Sequence, residues 1–337
     1  MEAWKLVCYA LAIPITIGFL PMIPFLLPIL IPLVLIGIFL YYVRPDILFT
    51  IFTEVMMWKH GCKQRYQTVK DYKFSYAERG RFNPDKATML YLHGYSAGKD
   101  MFWPFMPRLP KDQHVILLDL PGHGRTARRM DDSFSFESQA QRVHQFVVAM
   151  GMNNQPLHII GMSMGGGIGG LYAAKYPEDL TKLTLICPAG IKTETLSDYD
   201  LAVKERKLPA ELPETAEIFK LSMPYFTYTV PKVPGNYFKG IALMRRKHNT
   251  FYRKVLNDIA SVESRDSLRT YMGDITVPTQ VIWGRNDRLL HPSGAEILRE
   301  GIQDVEVHVL ERCGHSVTME RPYKTSKLIL NFADKSS

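Results

Sequence analysis

The sequence predicts an α/β protein: a mostly parallel sheet of eight strands flanked by helices, a helical cap inserted late in the chain, and an N-terminal transmembrane segment. Three observations predict it. Short apolar runs alternate with helix-period patterns over residues 66–187 and again from Thr279, as crossover connections between parallel strands require. One such run, residues 157–160, meets Gly161-Met162-Ser163-Met164-Gly165 and a tract of small residues, which reads strand, sharp turn, helix. The 38 residues 6–43 carry no charge, whereas a bilayer core needs only about 20 apolar residues.

The uncharged segment comes first. Pro14, Pro21, Pro24, Pro28 and Pro32 argue against one straight helix through all of it, because a membrane tolerates proline only where the freed carbonyls find partners. One span is therefore expected over residues 21–43, with the part before it kinked or lying at the interface; two spans in a tight hairpin are the more cramped alternative. Trp4, Tyr41, Tyr42 and Trp58 suit interfacial depths. A secretory signal fits poorly, since its apolar region runs about 7–15 residues and ends at a cleavage site of small residues. Lys5 precedes the span, while Arg44, Lys59, Lys63, Arg65, Lys70 and Lys73 follow it, so the positive-inside rule puts the large domain in the cytosol on a single-pass anchor. Residues 44–65 read as a juxtamembrane amphipathic linker. Its stripe of Ile47, Leu48, Ile51, Phe52, Val55 and Met56 lies on the membrane or covers the domain.

The folded core is expected over residues 66–190 and 275–337. Its strands are read at 66–69, 73–77, 88–92, 115–118, 157–160, 183–187, 279–283 and 305–310, and its helices at 136–150, 164–175, 293–300 and 322–332. Between residues 191 and 274 the pattern loosens and becomes rich in proline and aromatics, which reads as a helical cap over the sheet's C-terminal edge. Met223, Tyr225, Phe226, Tyr228, Tyr237, Phe238, Ile241 and Met244 exceed what a small cap needs for its own core. Phe226, Tyr228, Phe238 and Met244 are the candidates for contacting an apolar substrate.

Composition narrows the class. With 46% hydrophobic residues the chain folds rather than staying disordered. The net charge of +8 comes with no dense Lys/Arg run and no aromatic RNA-binding motif, so an anionic lipid surface fits better than nucleic acid as the partner. The four cysteines, Cys8, Cys62, Cys187 and Cys313, form no C-x-x-C pair and read as free thiols in a reducing compartment.

The candidate chemistry is assembled from strand ends. Ser163 sits where a tight turn exposes a nucleophile, with Gly161 and Gly165 small enough to permit the turn. His93-Gly94-Tyr95-Ser96 follows an earlier strand, and the N–H groups of Tyr95 and Met164 are the expected oxyanion donors. Asp287 ends Trp283-Gly284-Arg285-Asn286-Asp287 after one late strand, and His315 follows the last strand beside Gly314. The order Ser163, Asp287, His315 is that of a nucleophile, orienting acid and base brought together at one sheet edge. His93 and His123, in the turn Pro121-Gly122-His123-Gly124, read as structural histidines; His291 and His308 are placed worse than His315 for a base.

With these parts in view, residues 92–103, 119–124, 161–166, 283–287 and 313–322 resemble one subfamily of the α/β-hydrolase family, and the similarity runs over residues 66–332. The resemblance implies the α/β-hydrolase fold and hydrolysis of monoacylglycerols such as 2-arachidonoylglycerol, and of lysophospholipids, to fatty acid and glycerol or head group. It implies neither metal nor cofactor. It also implies a cytosol-facing domain on endosomal or lysosomal, endoplasmic reticulum or plasma membranes. The proline-dense first segment departs from the plainer apolar helix expected of such proteins, and the cap matches only weakly. Two rival readings are a catalytically idle membrane adaptor that keeps the fold, and a small-ester or carbon–carbon bond hydrolase.

Overall fold

Five strands are buried along their whole length: β3 (Thr88–Leu92), β4 (Val115–Asp119), β5 (Leu157–Met162), β6 (Lys182–Ile186) and β7 (Thr279–Gly284). Apolar side chains on both faces require helices on both faces, and this requirement builds the domain. In a computed structural model, which describes residues 23–70, 72–208, 215–233 and 235–335, the sheet has eight strands in the order β1-β2-β4-β3-β5-β6-β7-β8. The remaining strands are β1 (Lys63–Val69), β2 (Tyr72–Arg79) and β8 (Val305–Leu310). β1 pairs antiparallel with β2, and β2 antiparallel with β4; every other pair is parallel. The chain winds one way from β3 to β4 and the other way from β3 to β5. The C-terminal strand ends beside that reversal are where open α/β sheets bind ligands.

The expected strands are present. The first begins at Lys63 rather than 66, because its exposed, alternating side chains carry no apolar run to announce it. The helices follow in chain order: α1 (Ile23–Tyr42), α2 (Pro45–Lys59), α3 (Phe136–Ala149), α4 (Met164–Lys175), α5 (Asp198–Lys204), α6 (Ala216–Phe226), α7 (Gly235–Arg246), α8 (Asn249–Ile259), α9 (Ser267–Tyr271), α10 (Gly294–Gly301), α11 (Val317–Glu320) and α12 (Pro322–Ala333). α5 to α9 make up the cap. A capping box of Ser197 and Asp200 starts it. Helix α8 buries Phe251, Tyr252 and Val255 on the core, with Phe251 edge-on to Phe134 at 4.9 Å. Lys182 is buried in β6 because its Nζ donates to the Phe332 and Ala333 carbonyls, 2.8 Å each, at the end of α12.

α1 holds Pro28 and Pro32 inside the helix, and its side chains from Leu27 to Phe39 are mostly exposed. Counted over residues 26–42, no single described helix is long and apolar enough to cross a membrane. That stretch and α2 together are, with a bend of 103° between them. Trp4, Lys5, Cys8, Pro14 and Pro21 lie outside the described residues. The described cysteines Cys62, Cys187 and Cys313 are buried and unpaired.

Candidate active site

The turn between β5 and α4 forces Ser163 to φ 55°, ψ −119°, a backbone conformation that non-glycine residues adopt only when their surroundings dictate it. Those surroundings are specific. The Ser163 N–H donates to Ile186 O (2.9 Å), and its carbonyl accepts from Gly166, Gly167 and Ala189 N–H groups at 2.9–3.0 Å. A side-chain carbon on Gly161 would lie 2.2 Å from Gly165 O, and one on Gly165 would lie 2.2 Å from Leu92 O, so neither position accepts anything larger.

Asp287 lies beyond β7 and His315 beyond β8, both buried. Asp287 Oδ2 meets His315 Nδ1 at 2.8 Å and accepts Trp283 Nε1–H at 3.1 Å, while Oδ1 accepts the Leu289 and Leu290 N–H groups at 2.9 and 3.0 Å. Every partner of the carboxylate is a donor, so its anion is satisfied in place and the histidine proton is directed to Nδ1, leaving Nε2 as the basic nitrogen. β5, β6, β7 and β8 are consecutive neighbours, so Ser163, Asp287 and His315 share one edge of the sheet.

The loop after β3 approaches the serine closely: a side-chain carbon on Gly94 would sit 3.3 Å from Ser163 Cβ. Leu120 N–H donates to His93 Nε2 (2.9 Å), which places the His93 proton on Nδ1, where Gly94 O accepts it (2.8 Å). Burial pushes the His93 imidazole down to about 4, which keeps it neutral. A buried ion pair fixes the same loop from beneath. Lys99 Nζ meets Asp119 Oδ2 at 2.5 Å, and Asp119 also accepts from Ser75 Oγ, Lys99 N and Arg125 N. Burial raises the Asp119 carboxyl, but the Lys99 charge, His93 and the hydrogen bonds from Lys99 together hold the group below its ordinary value. Tyr95 donates its hydroxyl to Tyr252 O in the cap (2.7 Å), and Met164 opens α4 at the position whose N–H has no intrahelical acceptor. His123 donates Nδ1–H to Pro121 O (2.9 Å) and is pushed down to about 3 by burial and by nearby His93. Its ring meets His93 edge-on and lies tilted against Tyr252 rather than hydrogen-bonding the sheet-edge residues.

The four cap candidates separate. The Phe226 ring stands 6.4 Å from the His315 ring, and its carbonyl accepts Ser316 N–H at 2.8 Å. Met244 lines a cleft of about 730 Å³ that reaches Ser96 and Ala97 of the β3 loop. Tyr228 is exposed and lines a different, more polar pocket beside Asp287 and His291. Phe238 is buried against Phe219 at 5.5 Å, inside the cap's own core.

Two residues that sequence reasoning missed bear on this site. Glu320 ties the end of α6 to the histidine loop: its Oε1 accepts Tyr228 and Thr229 N–H groups, and its Oε2 accepts Gly314 N–H at 2.7 Å. Its place five residues after His315 carries no local signal for that job. Cys187, at the end of β6, has its Sγ within 4.8 Å of ligand atoms of Asp287 and His315, a donor set of the size that could hold a metal ion. A metal there would have to part the 2.8 Å Asp287–His315 hydrogen bond and ionise a thiol that burial holds protonated, so these three residues suit a hydrogen-bonded relay better than a metal centre.

The comparisons with known proteins agree with this geometry. The sequence profile of the α/β hydrolase fold matches residues 87–322. Monoacylglycerol lipase ABHD6 of Rattus norvegicus and of Homo sapiens are each 43% identical to the chain over 279 residues, covering 81% of it and 82% of each relative. Among solved structures, a bacterial membrane phospholipase A superposes with a TM-score of 0.79 at 29% identity, covering 92% of this chain and 98% of that one. Profile, identity and the strained serine on its eight-stranded sheet agree, and the chain belongs to the α/β-hydrolase family.

Proposed function

We propose that the protein is a serine lipase that works at a membrane surface and hydrolyses monoacylglycerols to free fatty acid and glycerol. The observation that carries the chemistry is the buried Asp287–His315 hydrogen bond of 2.8 Å on the sheet edge that also holds the strained Ser163. The substrate class is supported by 43% identity to curated monoacylglycerol lipases over 81% of the chain.

Ser163 Oγ attacks the ester carbonyl while His315 Nε2 takes its proton, and Asp287 stabilises the imidazolium through Nδ1. The N–H groups of Tyr95 and Met164 receive the tetrahedral oxyanion. His315 returns the proton to the glycerol oxygen, which leaves. Water, deprotonated by the same nitrogen, then attacks the acyl-serine and releases the fatty acid. Residues 1–43 serve as a single-pass anchor, residues 44–65 as its juxtamembrane continuation, 66–190 and 275–337 as the cytosolic core, and 191–274 as the cap. The run of Lys and Arg after the span supports that orientation. Lysophospholipids are a second substrate class, favoured by the likeness to a membrane phospholipase A.

The test presents the purified full-length chain with vesicles carrying a long-chain monoacylglycerol, or a lysophospholipid of the same acyl chain, alongside a fluorophosphonate probe. Labelling of Ser163 with monoacylglycerol turned over fastest is the expected result. Labelling without monoacylglycerol hydrolysis refutes the substrate, and absence of labelling in folded protein favours the idle adaptor.

A further inference from the structure

Helix α2 presents two apolar faces. Leu48, Ile51, Val55 and Trp58 recur at helical spacing and are exposed, which suits contact with a bilayer. Phe49, Phe52 and Met56, on an adjacent face, line the cleft of about 730 Å³. Tyr237, Ile241 and Met244 of cap helix α7 line the same cleft, spaced i, i+4, i+7 so that they share a face. The volume lies in the range of pockets that enclose small ligands, about 300–1,000 Å³. Ser96 and Ala97 also line it, directly after the Gly94-Tyr95 turn that abuts Ser163.

The helix is fixed in that position. Asp46 is buried and accepts from Arg44 Nε and a second guanidinium nitrogen at 3.0 Å each, and from Lys247 Nζ of the segment after α7 at 3.1 Å. The Arg44 hydrogen bonds hold its carboxyl well below the usual carboxylate range. Lys239 Nζ donates to Tyr42 O (2.8 Å), Phe49 meets the Tyr237 ring edge-on at 5.7 Å, and Glu54 pairs with Arg125. A side-chain carbon on Gly240 would lie 2.9 Å from Pro45 O, so α2 and α7 pack backbone against backbone.

We infer that α2 is a wall of the acyl-binding cleft rather than a linker, and that Phe49 and Met56 set the length of acyl chain the enzyme accepts. The inference rests on the lipase reading. A single acyl chain fits as the occupant because most of the lining area is apolar, the cleft reaches the β3 loop that abuts Ser163, and the outer face of the same helix suits the lipid from which the chain would come. The test measures hydrolysis of monoacylglycerols from short to long acyl chains by full-length wild type, Met56→Trp and Met56→Ala. Serine-probe labelling reports a folded site in each. Met56→Trp should lower the long-to-short rate ratio about tenfold or more, the effect of at least one methylene's worth of lost pocket, and Met56→Ala should move the optimum to longer chains. Should Met56→Trp fail to fold, the Met56→Ala profile decides the matter alone. Unchanged profiles in labelled variants overturn the inference while leaving the lipase reading standing. Failure of wild type to cleave any monoacylglycerol overturns the lipase reading instead.

Discussion

At the strand ends, Asp287 uses both carboxylate oxygens on four donors, Glu320 on three backbone N–H groups, and His93 uses its two ring nitrogens on the loops after β3 and β4. On the cap side the cleft surface is mostly apolar, and the buried carboxylate of Asp46 joins α2 to the segment after α7. The first region is held by these directional bonds, because the groups that make them have lost water and gained fixed partners. The second is shaped by dispersion and side-chain volume, which tolerate exchange of one apolar residue for another. Substitutions at the strand ends should therefore change the rate of chemistry, and substitutions on the cap side should change which substrate is taken.

The largest effect is expected at the base. His315→Ala should lower kcat on the order of 10⁴-fold or more, whereas His123→Ala should stay within about tenfold of wild type. A reversal of those two results would move the base to the β4 turn. Asp287→Asn comes next. The new amide can turn only one oxygen to its partners, so an N–H donor must face Trp283, His315 or the Leu289 and Leu290 N–H groups. The wrong imidazole tautomer follows, with a loss on the order of 10²–10⁴ in kcat. A loss expressed in KM alone would contradict the orienting role.

On the other side of the comparison, deleting residues 1–43 should slow hydrolysis of long-chain lipid in vesicles about tenfold more than that of a short soluble ester. A soluble enzyme must draw each methylene through water at about 0.8 kcal/mol. Equal losses on both substrates would make the segment a folding element only.

The smallest effect concerns stability. Burial pushes His93 down to about 4 and His123 and His158 to about 3, below the ordinary 6.5. As pH falls from about 6.5 to about 4, the unfolded chain binds a proton at each of these three histidines that the folded chain does not, so stability is lost on acidification; below about 4 the His93 share levels off. Each histidine contributes a slope of about 1.4 kcal/mol per pH unit in that window. Urea melts of His158→Asn at pH 7 and pH 5 should show the slope reduced by about one histidine's share, and an unchanged slope would mean that His158 is already protonated in the fold.

Most of the sheet was legible in sequence because buried parallel strands are continuous apolar runs bounded by turn residues, as at 88–92 and 157–162. Ser163 and Asp287 were legible as candidates because each follows such a run, and His315 because it follows the last strand, 305–310, beside a glycine. What stayed hidden depends on which side of a helix meets which neighbour. Tyr237, Ile241 and Met244 share one side of α7, while Phe238 and Ala242 fall on another and are buried, yet all five are apolar and close in sequence. The stripe on α2 was visible, but its division into an outer face and a cleft face follows from Asp46, Gly240 and Tyr237, none of which lies in a common local pattern with it. Glu320 acts on backbone groups of the segment that follows α6, nearly a hundred residues earlier.

The most direct measurement is fatty-acid release from a long-chain monoacylglycerol in vesicles by purified full-length protein and by Ser163→Ala, with fluorophosphonate labelling run in parallel. A serine lipase predicts release and labelling by wild type, and loss of both in a variant whose melting is unchanged. Release by Ser163→Ala above about a tenth of the wild-type rate, a difference of only ~1.4 kcal/mol in barrier, would contradict it.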